Sequence, residues 1–149
     1  MKKKIILWIL VVLWMGVIFY FSSSNSEEST NQSQGIINKT TIIDNYKEED
    51  KEEALENIDR VFRKITHACV FFVLSILVCL ELCEYKIPIN KVLLYAFIIC
   101  FLYACSDEIH QIYVPGRSGE VRDVLIDNIG VVIGLIPFKI FKGKKKWLM

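Results

Sequence analysis

Asp107, Glu108, His110 and Gln111 form a short run of ionisable and amide side chains at the end of an otherwise apolar stretch. Asp107, His110 and Gln111 are spaced i, i+3 and i+4, so a helix would put them on one face. Imidazole beside carboxylate is the pairing that general acid–base chemistry uses: the carboxylate orients the ring and the ring carries the proton. His67, Asp107, Glu108 and His110 are therefore the catalytic candidates. A second group follows, with Asp123 and Asp127 four apart, Asn128 beside them, and Gly130 and Gly134 continuing the face. A small-xxx-small pair lets a neighbouring helix approach closely, so Asp127 is expected to point into protein rather than lipid.

Cations complete the set. Arg60, Arg63 and His67 are spaced i, i+3 and i+7, with Lys64 next to them. They align provided a surface helix continues into the following apolar run. Arg117 follows Pro115-Gly116 on an expected turn, where its guanidinium would offer a two-pronged fork to a phosphate or carboxylate. The expected ligand-binding residues are Lys64, His67, Asp107, Glu108, Gln111, Arg117, Asp123, Asp127 and Asn128. The sequence has no G-x-S-x-G and no H-E-x-x-H, so it makes no case for an activated serine or a zinc centre. The five cysteines, Cys69, Cys79, Cys83, Cys100 and Cys105, lie in apolar runs without a CxxC pair and read as packing residues. No metal and no cofactor is expected.

The elements that must carry these groups are apolar runs. Hydrophobic residues make up 53% of the 149, and they are concentrated enough to indicate a membrane protein rather than a soluble domain. The runs are Ile5 to Phe21, Ile65 to Leu82, Val92 to Cys105 and Val124 to Phe141. The third is short, and its helix is expected to continue through Ser106-Asp107-Glu108 toward Gln111 before Pro115-Gly116 stops it. Pro137 is expected to bend the far end of the fourth. The first run follows Lys2-Lys3-Lys4, as a signal peptide would. It is long, it contains Trp8 and Trp14, and Ser22-Ser23-Ser24 is no small-x-small cleavage site, so an uncleaved helix is the expectation.

The fold expected is all-α: a polytopic membrane bundle of about four transmembrane helices with both termini cytoplasmic. Residues 1–21 form the first helix and 22–64 a polar, acidic extracytoplasmic segment. Parts of that segment read as disordered, and from Tyr46 to Ile65 it reads as an amphipathic surface helix. Residues 65–141 form the three-helix core, and 142–149 a basic tail that contacts anionic lipid. The lysines set the orientation. With both termini inside, the inner segments hold ten basic groups against Glu84 and Glu81, while the outer ones hold eight basic and fourteen acidic groups. His67, the Asp107–Gln111 run and the Asp123–Asn128 group then fall at one depth, near the outer face. Several carboxylates converging there need pairing or a polar cavity, because an ionised Asp in hydrocarbon costs about 2.5–3.5 kcal/mol on insertion scales.

The run from Asp107 through Gln111 to Pro115-Gly116-Arg117, followed by Asp123, Asn128, Gly130 and Gly134, resembles the signature of the VanZ-like family. Lys64 and His67 resemble that family's K-x-x-H. The family often has a tyrosine four residues after the histidine, where this chain has Phe71. The resemblance implies a multi-pass protein of the bacterial plasma membrane and a contribution to low-level resistance to the glycopeptide teicoplanin, or to modification of the cell envelope. Membrane lipids are the expected partners, with a cell-wall precursor or the lipoglycopeptide as further ligands and no nucleic acid. Three readings stay open: a binding site at the outer face, an enzyme acting on a lipid-linked or headgroup substrate, and a structural polar network with no ligand. Four short spans leave little room for a transporter core.

Overall fold

The computed structural model describes residues 2–23, 48–114 and 119–145, and the described chain is helical with no strand. The helices are α1 (Lys2–Ser23), α2 (Glu48–Cys83), α3 (Ile89–Gln111) and α4 (Val121–Lys145). Among the described residues three segments are long and apolar enough to cross a membrane: Lys2–Ser23, Arg60–Cys83 and Ile89–Gln111. At 1.5 Å per residue each exceeds the roughly 30 Å hydrocarbon core. The acidic stretch before Glu48 and the turn expected at Pro115-Gly116-Arg117 lie outside the described residues.

α2 runs unbroken through 36 residues, so the expected surface helix and the second apolar run are one element. Arg60, Arg63, Lys64 and His67 therefore keep helical register. α3 starts after Pro88, whose backbone (φ −55, ψ 139) turns the chain and whose carbonyl accepts from the amides of Lys91 and Val92. The tight link before it closes through Lys86, the one non-glycine residue of positive φ (54) among those described. α3 continues to Gln111, as the Ser106-Asp107-Glu108 run suggested. α4 carries Asp123 in its first turn, where a carboxylate complements the exposed amides, and it continues past Pro137 to Lys145.

α2 and α3 form the middle of the bundle. α1 packs against both and α4 packs against both, and among the described residues α1 and α4 make no contact with each other. The core is narrow: Val11 and Ile18 from α1, Phe71, Leu74 and Val78 from α2, Val92, Ala96 and Cys100 from α3, and Val131 from α4. Outside it the helices present apolar faces. Ile5, Ile9, Leu13 and Tyr20 are exposed on α1, and Val121, Leu125, Ile129, Val132, Ile136 and Ile140 on α4. A soluble monomer rarely exposes apolar patches beyond a few hundred Å²; acyl chains would cover such faces at no cost.

The two ends of the bundle differ. At one end Lys3 Nζ pairs with Glu84 Oε1 at 2.5 Å and Trp8 Nε1 donates to Tyr85 Oη at 3.1 Å. Near mid-depth, Trp14 Nε1 donates to the Val70 carbonyl and Tyr103 Oη to the Met15 carbonyl. At the other end Ser22 reaches Asp107, and Lys64 reaches Asp123. The start of the α2 span, the end of α3 and the start of α4 thus come together.

α4 holds its place on α2 through glycine. A Cβ at Gly130 would overlap the Ala68 carbonyl oxygen and lie 2.8 Å from that carbonyl carbon. A Cβ at Gly134 would overlap Ser75 Oγ and lie 2.8 Å from the Phe72 carbonyl oxygen. The small-xxx-small pair is the α2–α4 contact that its spacing suggested.

Candidate functional site

At the end where α2, α3 and α4 converge lies a cavity of about 140 Å³. Its α2 wall is basic, formed by Arg60, Arg63, Lys64 and His67. The facing side is acidic and comes from Glu108 and Gln111 of α3, Glu120 of the following link, and Asp123, Ile126 and Asp127 of α4. Helical periodicity explains the basic wall. Residues 60, 63, 64 and 67 are one stripe of α2, which also continues inward to the core residues Phe71 and Leu74.

Most of these charges are satisfied by one another. Lys64 Nζ lies 2.5 Å from Asp123 Oδ1 and 3.7 Å from Glu120 Oε2, with the Lys64 and Asp123 side chains about a quarter exposed. Glu108 Oε2 accepts the Glu120 backbone amide at 3.1 Å, which ties the link after α3 back onto the site. His67 sits between two aspartates, its Nδ1 being 4.0 Å from Asp107 Oδ2 and 3.9 Å from Asp127 Oδ1. Both separations exceed hydrogen-bond reach. Asp127 is 1% exposed, and neither of its carboxylate oxygens has a hydrogen-bond partner among the described residues.

The expected residues divide into three groups. Lys64, His67, Glu108, Gln111, Asp123 and Asp127 line the cavity. Asp107, His110 and Asn128 do not. Asp107 is buried behind the cavity, where its Oδ2 accepts from Ser22 Oγ (3.0 Å) and Gln111 Nε2 (3.2 Å). His110 faces α1: its Nε2 is 3.1 Å from Ser23 Oγ, and its ring stacks on Phe19 with centroids 4.3 Å apart. The shared face of Asp107, His110 and Gln111 is therefore split, because a face spanning i to i+4 is wide enough for its two edges to meet different neighbours. Asn128 turns back on its own helix, Nδ2 donating to the Val124 carbonyl at 2.7 Å. Arg117 lies outside the described residues.

Five contributors were not among the expected ligand residues. Glu120 gives both a side chain and an amide. Arg60 and Arg63 join once α2 is continuous. Ser22 and Ser23 bring α1 to the polar end, and the i, i+4 spacing of Ile18 and Ser22 on the buried side of α1 was the signal available. Elsewhere, Glu81 was counted with the inner link but is fully buried in α2, with both oxygens unpartnered. Phe71, at the position where a tyrosine is common, is fully buried and packs near the Tyr103 ring, their centroids 6.0 Å apart. The cysteines are free, Cys79 and Cys100 within the core.

Chemically, the cavity offers charge of both signs and a histidine. Its described lining contains no serine, threonine, cysteine or tyrosine to serve as a nucleophile. Among the described residues no group of three or more His, Cys, Asp or Glu side chains is arranged to hold a metal ion. The VanZ/LLP1 family model matches residues 7–142, a span that takes in most of α1 and α4, all of α2 and α3, and every described cavity residue. No curated protein and no solved structure matches the chain.

Proposed function

We propose that this chain, which belongs to the VanZ/LLP1 family, is a bacterial plasma-membrane protein that binds a polar headgroup, of a membrane lipid or a lipid-linked cell-wall precursor, at the outer face. Through that binding it modifies the envelope and contributes to low-level teicoplanin resistance. All four helices span the bilayer in this reading, both termini lie inside, and the cavity opens outward at headgroup level. The exposed apolar stripe of α4 and the lysine distribution support that placement.

The observation that carries the reading is the cavity, with its opposed charged walls and the unpartnered, buried carboxylate of Asp127. A buried polar group without a partner costs about 1–3 kcal/mol, and Asp127, unlike buried Glu81, lines a cavity from which a ligand can reach it. Size favours a headgroup over the antibiotic. Sites for drug-sized molecules enclose about 300–1,000 Å³, and this cavity has about 140 Å³. Binding is favoured over turnover by the distances at His67. A base and its orienting carboxylate work at roughly 2.6–3.2 Å, while Asp107 and Asp127 stand 4.0 and 3.9 Å away.

The test is a susceptible bacterial host expressing the wild type or Asp127→Ala at matched membrane abundance. The wild type raises the inhibitory concentration of teicoplanin and the variant does not. Full resistance in a well-inserted Asp127→Ala protein refutes the reading.

A further inference from the structure

The cavity contains two ionisable groups that the described residues leave unmatched, one acidic and one basic. Asp127 is buried, and both its carboxylate oxygens lack a donor. Among the described residues its ion-pairing neighbour within 4 Å is His67, at a distance too long for a hydrogen bond. Arg60 is exposed at the other end of the basic wall and has no ion pair among the described residues. Lys64 and Glu108, between these extremes, already have partners.

Depth separates the two groups. His67, at the level of Asp127, is seven residues along α2 from Arg60, or about 10 Å at 1.5 Å per residue. The long arginine side chain can lean part of that distance inward. A ligand that satisfies both groups has an anion at the arginine and a hydrogen-bond-donating cation at the aspartate, joined by a short linker. A purely anionic ligand would leave Asp127 unpaired and add repulsion to it, and a purely cationic one would have to pass Arg60 and Arg63.

We propose that the cavity takes a zwitterion made of a phosphate and a primary ammonium group on a two- or three-atom linker, as in phosphoethanolamine, with the phosphate at Arg60 and the ammonium on Asp127. The assignment rests on the headgroup reading above and narrows it to one chemical class. The shared chemistry has two sources, the headgroup of an aminophospholipid and a free phosphorylated amine. The primary amine matters because its three N–H donors can serve the bare Asp127 oxygens, whereas a quaternary ammonium has none.

The experiment uses the full chain in nanodiscs of phosphatidylglycerol, which supplies no amine. Phosphoethanolamine, phosphocholine and inorganic phosphate are titrated by calorimetry. In parallel, nanodiscs doped with phosphatidylethanolamine or phosphatidylcholine are examined for retained lipid by native mass spectrometry. Phosphoethanolamine is expected to bind at least tenfold more tightly than phosphocholine in the wild type, a comparison that needs no variant. Asp127→Asn should erase that preference while sparing phosphate binding, and Arg60→Gln should weaken phosphoethanolamine and phosphate alike.

Retention of phosphatidylethanolamine over phosphatidylcholine identifies the lipid as the source and supports both readings. Binding of soluble phosphoethanolamine without the lipid keeps the zwitterion and overturns the headgroup. Equal binding of phosphocholine and phosphoethanolamine, or an unchanged preference in Asp127→Asn, overturns the ammonium subsite and leaves the headgroup reading standing. Binding of none of these probes overturns both.

Discussion

Substituting Gly130 by alanine adds one methyl group at the place where α4 and α2 come closest. The new Cβ would lie 2.8 Å from the Ala68 carbonyl carbon and 3.1 Å from its Cα, and it would overlap the carbonyl oxygen. Ordinary contact starts near 3.4 Å, so the carbon alone demands a displacement of about 0.6 Å, and the oxygen demands more. All three atoms are backbone, so no side chain can rotate away and the helices themselves must part. Overpacking of this kind costs about 1–3 kcal/mol, occasionally more. Alanine is intrinsically better than glycine in a helix by roughly 0.8–1.0 kcal/mol. The net expectation is a loss of up to about 2 kcal/mol, as much as a roughly thirtyfold shift in the unfolding equilibrium, and a deficit of about 1–3 kcal/mol against an alanine that meets no obstruction. Gly16 of α1 is the control, because a Cβ there meets nothing within 4 Å. Gly16→Ala should leave stability unchanged or slightly raised. Steric trapping or detergent-driven unfolding of the purified protein measures both. Asp127 is three residues from Gly130 and should move with α4, so affinity for the cavity's ligand should also fall in Gly130→Ala. A Gly130→Ala protein as stable as Gly16→Ala would refute the close helix contact on which the site geometry depends.

Ser22→Ala removes the hydroxyl that donates to buried Asp107, leaving that carboxylate with Gln111, and should cost about 1–3 kcal/mol in the same unfolding assay; unchanged stability would mean that α1 does not dock there. A double-mutant cycle of Lys64→Met and Asp123→Asn should give a coupling of about 1 kcal/mol, since the partners are only partly shielded from solvent; strict additivity would dissolve the pair. Orientation is tested in a cysteine-free background. Tyr113→Cys, at a position 79% exposed, should react with an impermeant maleimide on intact cells, and Asn90→Cys only after lysis; the opposite pattern inverts the topology.

Hydropathy located the helices because each apolar run is longer than any turn signal within it, and the extension of α3 to Gln111 followed from the absence of a breaker before Pro115. The convergence of Lys64, His67, Glu108, Asp123 and Asp127 at one end follows from alternating helix direction, and their spacings put the right ones on a common wall. Which side of each helix faces protein was harder to read. In α1 the buried Val11 and Ile18 and the exposed Ile9 and Leu13 are chemically alike, so composition cannot separate core from lipid contact. The docking of Ser22 and Ser23 was hidden for that reason, since serines at the end of a span also read as the start of a polar segment. His110 lies against α1 because an i+3 neighbour of Asp107 sits on the edge of the face, where Phe19 stacks on it. Glu81 was counted with the inner link because Glu84 follows closely, yet it lies on the buried side of the last turn of α2.

The Ser22 contact has a consequence for the rigidity of the site. Among the described residues α1 contributes no lining to the cavity, yet its last turn holds two groups just behind it, Asp107 through Ser22 and His110 through Ser23. Asp107 is thereby fixed by Ser22 and Gln111 together, with His67 standing in front of it. α1 thus works as a brace. Cutting its contacts at Ser22 and Ser23 would loosen the back wall of the site without altering any residue that lines the cavity.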